Sequence, residues 1–531
     1  MSVRRRLGLL LVAAALPAAL LTAPAHAARP APTAVDVVGL GVAEAHTLLT
    51  QRKVTSVQLV DSYLQRIEAY EDAYGDQPGV NAVITVNRHA RAEAARLDAE
   101  RRSGRTRGPL HGIPIVVKDN FDTVGMPTTS GSVALRDLYP RDDATQIRKL
   151  RDAGAIILAK TNLHEFAMNI TTISSLGGQT RNPYDQQRIP GGSSGGTGAA
   201  VAASFAPAGM GSDTCGSIRI PAAHNNLVGL RPTLGLSSRD GVAPLASTQD
   251  TAGPLAGSVR DVALILDATV GYDPKDPVTA AAKGNIPRSY LTGMTNNSLQ
   301  GKKVGVFTDY FGTTDAAQDT NELVRAAIDD MAALGAESVE LGPQPEIMAA
   351  AAAANRVRDE FERDLNAYLD AARGKPRDLA RLEPPYREIT LADIATSGQV
   401  TPSVLTTLRN WVDSPTLPNP SYTEKLRQRD ILQAKLTELM AEHDLDALVY
   451  PTISEPPAVI GTTQSYLNCR LAGYSGFPAL SVPAGFTADG LPVGVELLGE
   501  PFAEPALLSM GYAYEQATEH RTPPESTPAL R

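Results

Sequence analysis

One stretch constrains this chain more than any other: Gly191-Gly192-Ser193-Ser194-Gly195-Gly196-Thr197-Gly198. It holds too much glycine for a helix or strand interior, so its backbone must take an unusual path. It runs directly into Ala199-Ala200-Val201-Ala202-Ala203, an apolar segment with helix-forming residues. A flexible linker would not be sealed into a buried segment in this way. The remaining readings are a phosphate cradle and a catalytic serine loop.

A phosphate cradle needs a lysine after the glycines, and none follows Gly198. Gly191 to Gly195 also matches the nucleophile pattern of α/β-hydrolases. There the serine follows a buried apolar strand, whereas Asp185 to Pro190 is polar, and His224, His443 and His520 have no persuasive context as its base. The Ser-x-x-Lys pattern is absent, since no lysine has a serine three positions before it.

A second glycine-containing stretch follows, Gly211-Ser212-Asp213-Thr214-Cys215-Gly216-Ser217-Ile218-Arg219-Ile220-Pro221. A serine nucleophile needs a base and backbone N–H groups aimed at the developing oxyanion. The turn from Thr214 to Ser217 offers several adjacent N–H groups. Upstream, the β-branched run Ile115-Val116-Val117 predicts a buried strand with Lys118 at its end. A lysine held inside must be paired or neutral, and a neutral amine can accept a proton.

Here the residues resemble a known family. From about Gly112 to Gly271 the chain is similar to the amidase signature family of amide hydrolases. The resemblance rests on Gly112-Ile113-Pro114 through Lys118-Asp119-Asn120, Gly191 to Gly198, Gly211 to Pro221, and Gly229-Leu230-Arg231-Pro232-Thr233. Weaker similarity reaches Phe477 to Gly485 near the C-terminus and covers nearly all of the chain past the leader. The resemblance implies Ser217 as nucleophile, Ser193 as a bridging serine after a cis Gly192–Ser193 peptide, and Lys118 as base. It implies an oxyanion hole from the N–H groups of Thr214, Cys215, Gly216 and Ser217, with Ser194, Asp213 and Arg219 in support. No cofactor and no metal are implied. One position departs from the pattern: Cys215 stands where the family usually has glycine, which would add strain if that position needs positive φ. Its side chain would narrow the pocket or reach Cys469.

Three segments resemble the peptide amidase branch, which removes the C-terminal amide of peptides: Ser238 to Gly241, Ser247 to Pro254, and Glu360-Phe361 with Asp364 to Leu369. The substrate expected is therefore a small-molecule or peptide amide, with aryl, aliphatic or amino acid amides as the alternative. An exported binding protein that kept the fold and lost the chemistry is the reading from another class, with Cys215 in its favour.

Charge and the first residues bear on compartment. Arg4-Arg5-Arg6, an apolar run from Leu7 to Leu21 and Ala25-His26-Ala27 read as an export signal over residues 1–27, by the general or the twin-arginine route. The chain is acidic, with a net charge of −9. Loss of the three arginines would make it −12, with 46 basic against 58 acidic residues. That balance opposes nucleic acid or an anionic membrane as partner, and with export it opposes an amidotransferase role on charged transfer RNA. Oligomeric state is not encoded legibly. The two cysteines, Cys215 and Cys469, are expected to be buried and unpaired, as two thiols make no disulfide scaffold.

Helical spacing and short apolar runs alternate along the chain, which predicts a single α/β domain over 28–531. A mixed, mostly parallel sheet would be covered by helices on both faces. A helix is expected from Thr55 or Ser56, and others over Arg88–Arg102, Asp143–Gly154, Glu346–Arg373 and Ser421–His443. The block from about 275 to 440 reads as a helical insertion within the domain.

Overall fold

The computed structural model describes residues 35–371, 389–465 and 467–530. The predicted export signal lies outside them.

Local signals start the elements where the sequence predicts. Thr55 caps the helix Ser56–Tyr70, accepting from the Gln58 N–H while the Gln58 side chain accepts from the Thr55 N–H. Leu59, Val60, Tyr63 and Ile67 form its buried face. The strands, in chain order, are β1 (Val83–Val86), β2 (Pro114–Lys118), β3 (Ile156–Thr161), β4 (Ile173–Ser174), β5 (Gly178–Gln179), β6 (Ala208–Asp213), β7 (Val228–Arg231), β8 (Thr251–Ala256), β9 (Lys303–Phe307), β10 (Glu337–Leu341), β11 (Ala447–Pro451), β12 (Ala479–Phe486) and β13 (Pro492–Leu498). β4 and β5 make a small separate pair.

The other strands form one 11-stranded sheet in the order β1-β3-β2-β6-β8-β7-β12-β13-β11-β9-β10. Strands β2, β3, β6, β8 and β13 are buried at every position. Full burial is why β2, β3 and β13 read as short apolar runs rather than as alternating ones. The sheet is mixed, as expected, but not mostly parallel: six of its ten strand pairings are antiparallel, including that of edge strand β1 with β3. Pairing is parallel in the two flanks, β3-β2-β6 and β11-β9-β10. Through the middle, from β6 across to β11, it is antiparallel.

The 275–440 block is not helical throughout. β9 and β10 fall inside it, joined by the helix Gln318–Ala333, and extend the main sheet beside β11. The helix predicted over Glu346–Arg373 is two, Pro345–Ala353 and Val357–Ala371, with Arg373 outside the described residues. The break is set by contacts of Arg356 with a loop distant in sequence. Arg356 N–H donates to Gln249 Oε1 at 2.8 Å, and its guanidinium donates to Thr248 Oγ1 at 2.7 Å and to Ala354 O at 2.6 Å. The second helix then pins the 247–248 loop: Glu360 accepts from Thr248 N–H and Oγ1, and Asp364 from Ser247 N–H.

Contrary to the expectation that the stretch is too rich in glycine for a helix interior, its second half, Gly195 to Gly198, opens the helix Gly195–Ala202, buried at every position, while Gly191 to Ser194 precede it. Its glycines permit close approach: a Cβ at Gly196 would lie 2.3 Å from Asn162 O and 2.8 Å from Ala82 O. Backbone cannot yield as a flexible side chain would. Gly196→Ala should therefore cost about 1–3 kcal/mol, the usual range for overpacking. A lowered urea midpoint would register this; an unchanged midpoint would contradict the packing described.

Candidate active site

Parallel strands β2 and β6 end side by side. Lys118 closes β2, and Asp213 closes β6 just before the turn 214–218. The helix Gly195–Ala202 starts beside them, so three segments distant in sequence meet at one end of the sheet.

Lys118 is wholly buried, and among the described residues it makes no ion pair with a carboxylate. Its Nζ donates to Ser193 Oγ at 2.8 Å and to Ser212 Oγ at 2.9 Å. Asn120 Nδ2 also donates to Ser212 Oγ, at 3.0 Å. Burial brings the Lys118 pKa down to about 7, against the opposing pull of Asp213 and Asp250. The amine thus titrates near neutrality while held against a serine hydroxyl.

The peptide between Gly192 and Ser193 is cis. Ser193 O accepts from His164 N–H at 3.1 Å, and Ser194 N–H donates to Ser217 O at 3.2 Å. The latter bond ties the glycine-rich loop to the second serine stretch. Ser194 Oγ donates to Ser212 O at 3.2 Å. Ser217 is 5% exposed, and its hydroxyl makes no hydrogen bond among the described residues. No histidine ring nitrogen bonds to Ser193, Ser194 or Ser217 there either.

The turn is braced from below by a buried ionic network. Asp213 Oδ1 accepts from Gly216 N–H at 2.8 Å, and Oδ2 from Ile218 N–H at 3.0 Å. Arg219 pairs with Asp213 at 3.2 Å and also with Glu496, while Arg231 pairs with Asp213 at 2.8 Å. Tyr450 OH donates to Glu496 Oε1 at 2.9 Å. Burial alone would raise the Asp213 pKa, but the Arg219 and Arg231 guanidinium groups outweigh it and hold the carboxyl well below its usual range. For Glu496 burial prevails over Arg219 and Tyr450, and the pKa rises.

Four N–H groups were expected to be open toward an oxyanion. Gly216 N–H is not, because Asp213 already accepts it. Those of Thr214, Cys215 and Ser217 donate to no acceptor among the described residues. Positive φ falls on Gly216, at 85°, and not on Cys215, so the cysteine brings no backbone strain. The two cysteines are not free: Cys215 and Cys469 form a disulfide, with Cα atoms 5.0 Å apart across 254 positions of sequence. The segment carrying Cys469 folds back onto the turn, and Cys215 is only partly buried.

A cavity of about 370 Å³ opens beside this cluster, lined by Asn120, Ser212 and Thr214 at its inner side. All three segments singled out in the sequence reach it, through Arg239, Asp250, Asp364 and Tyr368 among others. Asp250 joins cavity to turn: Oδ1 accepts from Thr214 Oγ1 at 2.5 Å, and Oδ2 from the Leu245 and Ala246 N–H groups.

The Amidase family profile matches residues 58–508. This chain belongs to the amidase signature family. Its fold matches the peptide amidase of Stenotrophomonas maltophilia with a TM-score of 0.82 and 37% identity, over 92% of this chain and 99% of that one. A bacterial aryl acylamidase of the amidase signature family matches with a TM-score of 0.73 and 25% identity, over 91% and 97% of the two chains. Among sequences, a glutamyl-tRNA(Gln) amidotransferase subunit of Methanosarcina barkeri is 36% identical over 86% of this chain and 94% of its own.

Sequence reasoning assigns no site role to Ser212, Asp250, Arg231, Glu496 or Tyr450, although the first three lie in the motifs that carry the resemblance. Arg231 and Glu496 carried a signal, since each lies in an apolar strand and a buried charge needs a partner. The partners could not be read, because Glu496 is 277 positions from Arg219. Arg219→Met should lower unfolding free energy by about 3–5 kcal/mol, because it strands buried carboxylates. A denaturation midpoint equal to the parent's would contradict this bracing.

Proposed function

We propose that this chain is an exported amidase that hydrolyses carboxamides through a serine acyl-enzyme, with Ser217 as nucleophile, Ser193 as relay and Lys118 as base. The observation that carries the reading is a buried lysine, poised near neutrality, in contact with a serine hydroxyl and with no carboxylate paired to it among the described residues. A lysine serves as a base only when neutral, and this burial favours the neutral form.

The neutral Lys118 amine takes the Ser193 proton as Ser193 takes that of Ser217, and Ser217 Oγ bonds to the amide carbon. Negative charge grows on the carbonyl oxygen, toward the free N–H groups of Thr214, Cys215 and Ser217. The relay returns the proton to the departing nitrogen, the C–N bond breaks, and an ester to Ser217 remains. Water, deprotonated by the same relay, attacks this ester and frees the acid.

The substrate class we favour is the C-terminal amide of a peptide. The match to a peptide amidase supports it, as does the position along the cavity of the three segments that resemble that branch. The match to a transfer RNA amidotransferase component supports amide chemistry of a related kind, but the net charge of −9 opposes a transfer RNA partner. Aryl amides remain the alternative, in line with the aryl acylamidase match. Export accords with a disulfide, which persists in oxidising compartments.

A panel of peptide amides, amino acid amides, anilides and short aliphatic amides, read by released ammonia or amine, tests the reading. Peptide amides should give the highest kcat/KM, and Ser217→Ala should abolish turnover while the protein stays folded. Activity retained by Ser217→Ala would overturn the assignment. Because the base must be neutral, kcat/KM should fall as pH drops through about 7, the Lys118 value, and level off above it. A flat profile between pH 6 and pH 8 would contradict Lys118 as base.

A further inference from the structure

We propose that the Cys215–Cys469 disulfide positions the oxyanion turn, so that full turnover requires the oxidised protein. The inference rests on Ser217 being the nucleophile.

The turn is held unevenly. Its far end is fixed by Asp213 through the Gly216 and Ile218 N–H groups. Its near end, Thr214 and Cys215, carries two of the three N–H groups left free for an oxyanion. Among the described residues, two side-chain links hold that end: Thr214 Oγ1 to Asp250, and the disulfide. No backbone hydrogen bond from either N–H fixes it among the described residues.

The other half of the link is rigid. Cys469 is 1% exposed and caps the helix Arg470–Ser475. Its carbonyl accepts from Arg219 Nη2 at 3.3 Å, and neighbouring Asn468 Nδ2 donates to Tyr310 O at 3.0 Å and Pro451 O at 2.7 Å. The two segments are packed to contact. A Cβ at Gly473 would lie 2.9 Å from Thr214 O and 3.0 Å from Cys215 Cα, and one at Gly216 would lie 2.8 Å from Cys469 Cβ. The disulfide therefore ties the less constrained half of the turn to a fixed wall, two positions before the nucleophile. Donors that stabilise a transition state must be held in place before the reaction begins.

A dithiol reductant would reverse this. It supplies two electrons and two protons, the Sγ–Sγ bond breaks to two thiols, and the reductant leaves as its own disulfide. Cys215 is only partly buried, whereas Cys469 is buried.

The test compares native protein, dithiothreitol-reduced protein with two thiols counted by alkylation and mass, and the Cys215→Ala/Cys469→Ala double variant. Kinetics are read well below the Tm of every form. Reduction should lower kcat about tenfold or more, part of the 10²–10³ that follows loss of a whole donor. KM should stay within about twofold, as expected when only transition-state contacts are lost. Reoxidation should restore kcat. The double variant should be slow from the start and indifferent to the reductant, and it decides the matter if the native bond resists reduction. A merely structural link would lower Tm and leave kcat at low temperature unchanged; that result, a rise confined to KM, or two free thiols in the native protein overturns the proposal. Native protein with no Ser217-dependent turnover would instead overturn the functional reading, before any reductant is added.

Discussion

The site depends on one costly arrangement: an amine buried without a carboxylate beside it. Placing Lys118 at the end of a fully buried strand strips it of water, and its hydrogen-bond partners are serines rather than an acid. Moving a charge into such surroundings is unfavourable enough that the group tends to neutralise instead. A closely bonded aspartate would restore the charge and remove the basicity. Asp213 and Asp250 are near enough to be felt by Lys118, but Asp213 is taken up by two arginines, and Asp250 by Thr214 and two backbone N–H groups. Keeping these carboxylates occupied elsewhere is part of keeping the lysine neutral.

The ionic network below the turn thus has two consequences. It compensates buried charges by pairing them, and breaking such a set is strongly destabilising because an unpaired charge stays behind. It also fixes geometry, since Asp213 grips the turn at Gly216 and Ile218 while Arg219 ties it to β13 and to the Cys469 segment. The turn is shaped from beneath by ion pairs and from the side by a covalent link. The open face is left to the cavity.

Much of this was legible in the residues. Short apolar runs announced the buried strands, and Lys118 was conspicuous at the end of one. Thr55 marked a helix start, and the glycines of 191–198 signalled an unusual backbone path. What escaped depended on contacts across long separations. The disulfide joins positions 254 apart, and only the folded chain brings them within 5.0 Å. The 275–440 block read as helical because its helices are long, although Lys303 to Phe307 already read as part of the helix and strand alternation; β10, five residues at the sheet edge, escaped. The break at Arg356 follows from its bonds to the 248–249 loop, which no local pattern encodes. Gly216 was expected to offer its N–H outward; it instead serves Asp213, a contact that sequence spacing permits but does not dictate.

The central claim is that Ser217, not Ser193, becomes covalently acylated, with Lys118 drawing the proton away through Ser193. Its most direct test is to treat the native protein with a fluorophosphonate and locate the adduct by peptide mass mapping. The account predicts a single adduct on the peptide carrying Ser217, absent when Lys118 is replaced by alanine in a folded protein. An adduct on Ser193, or labelling that proceeds undiminished without Lys118, would contradict it.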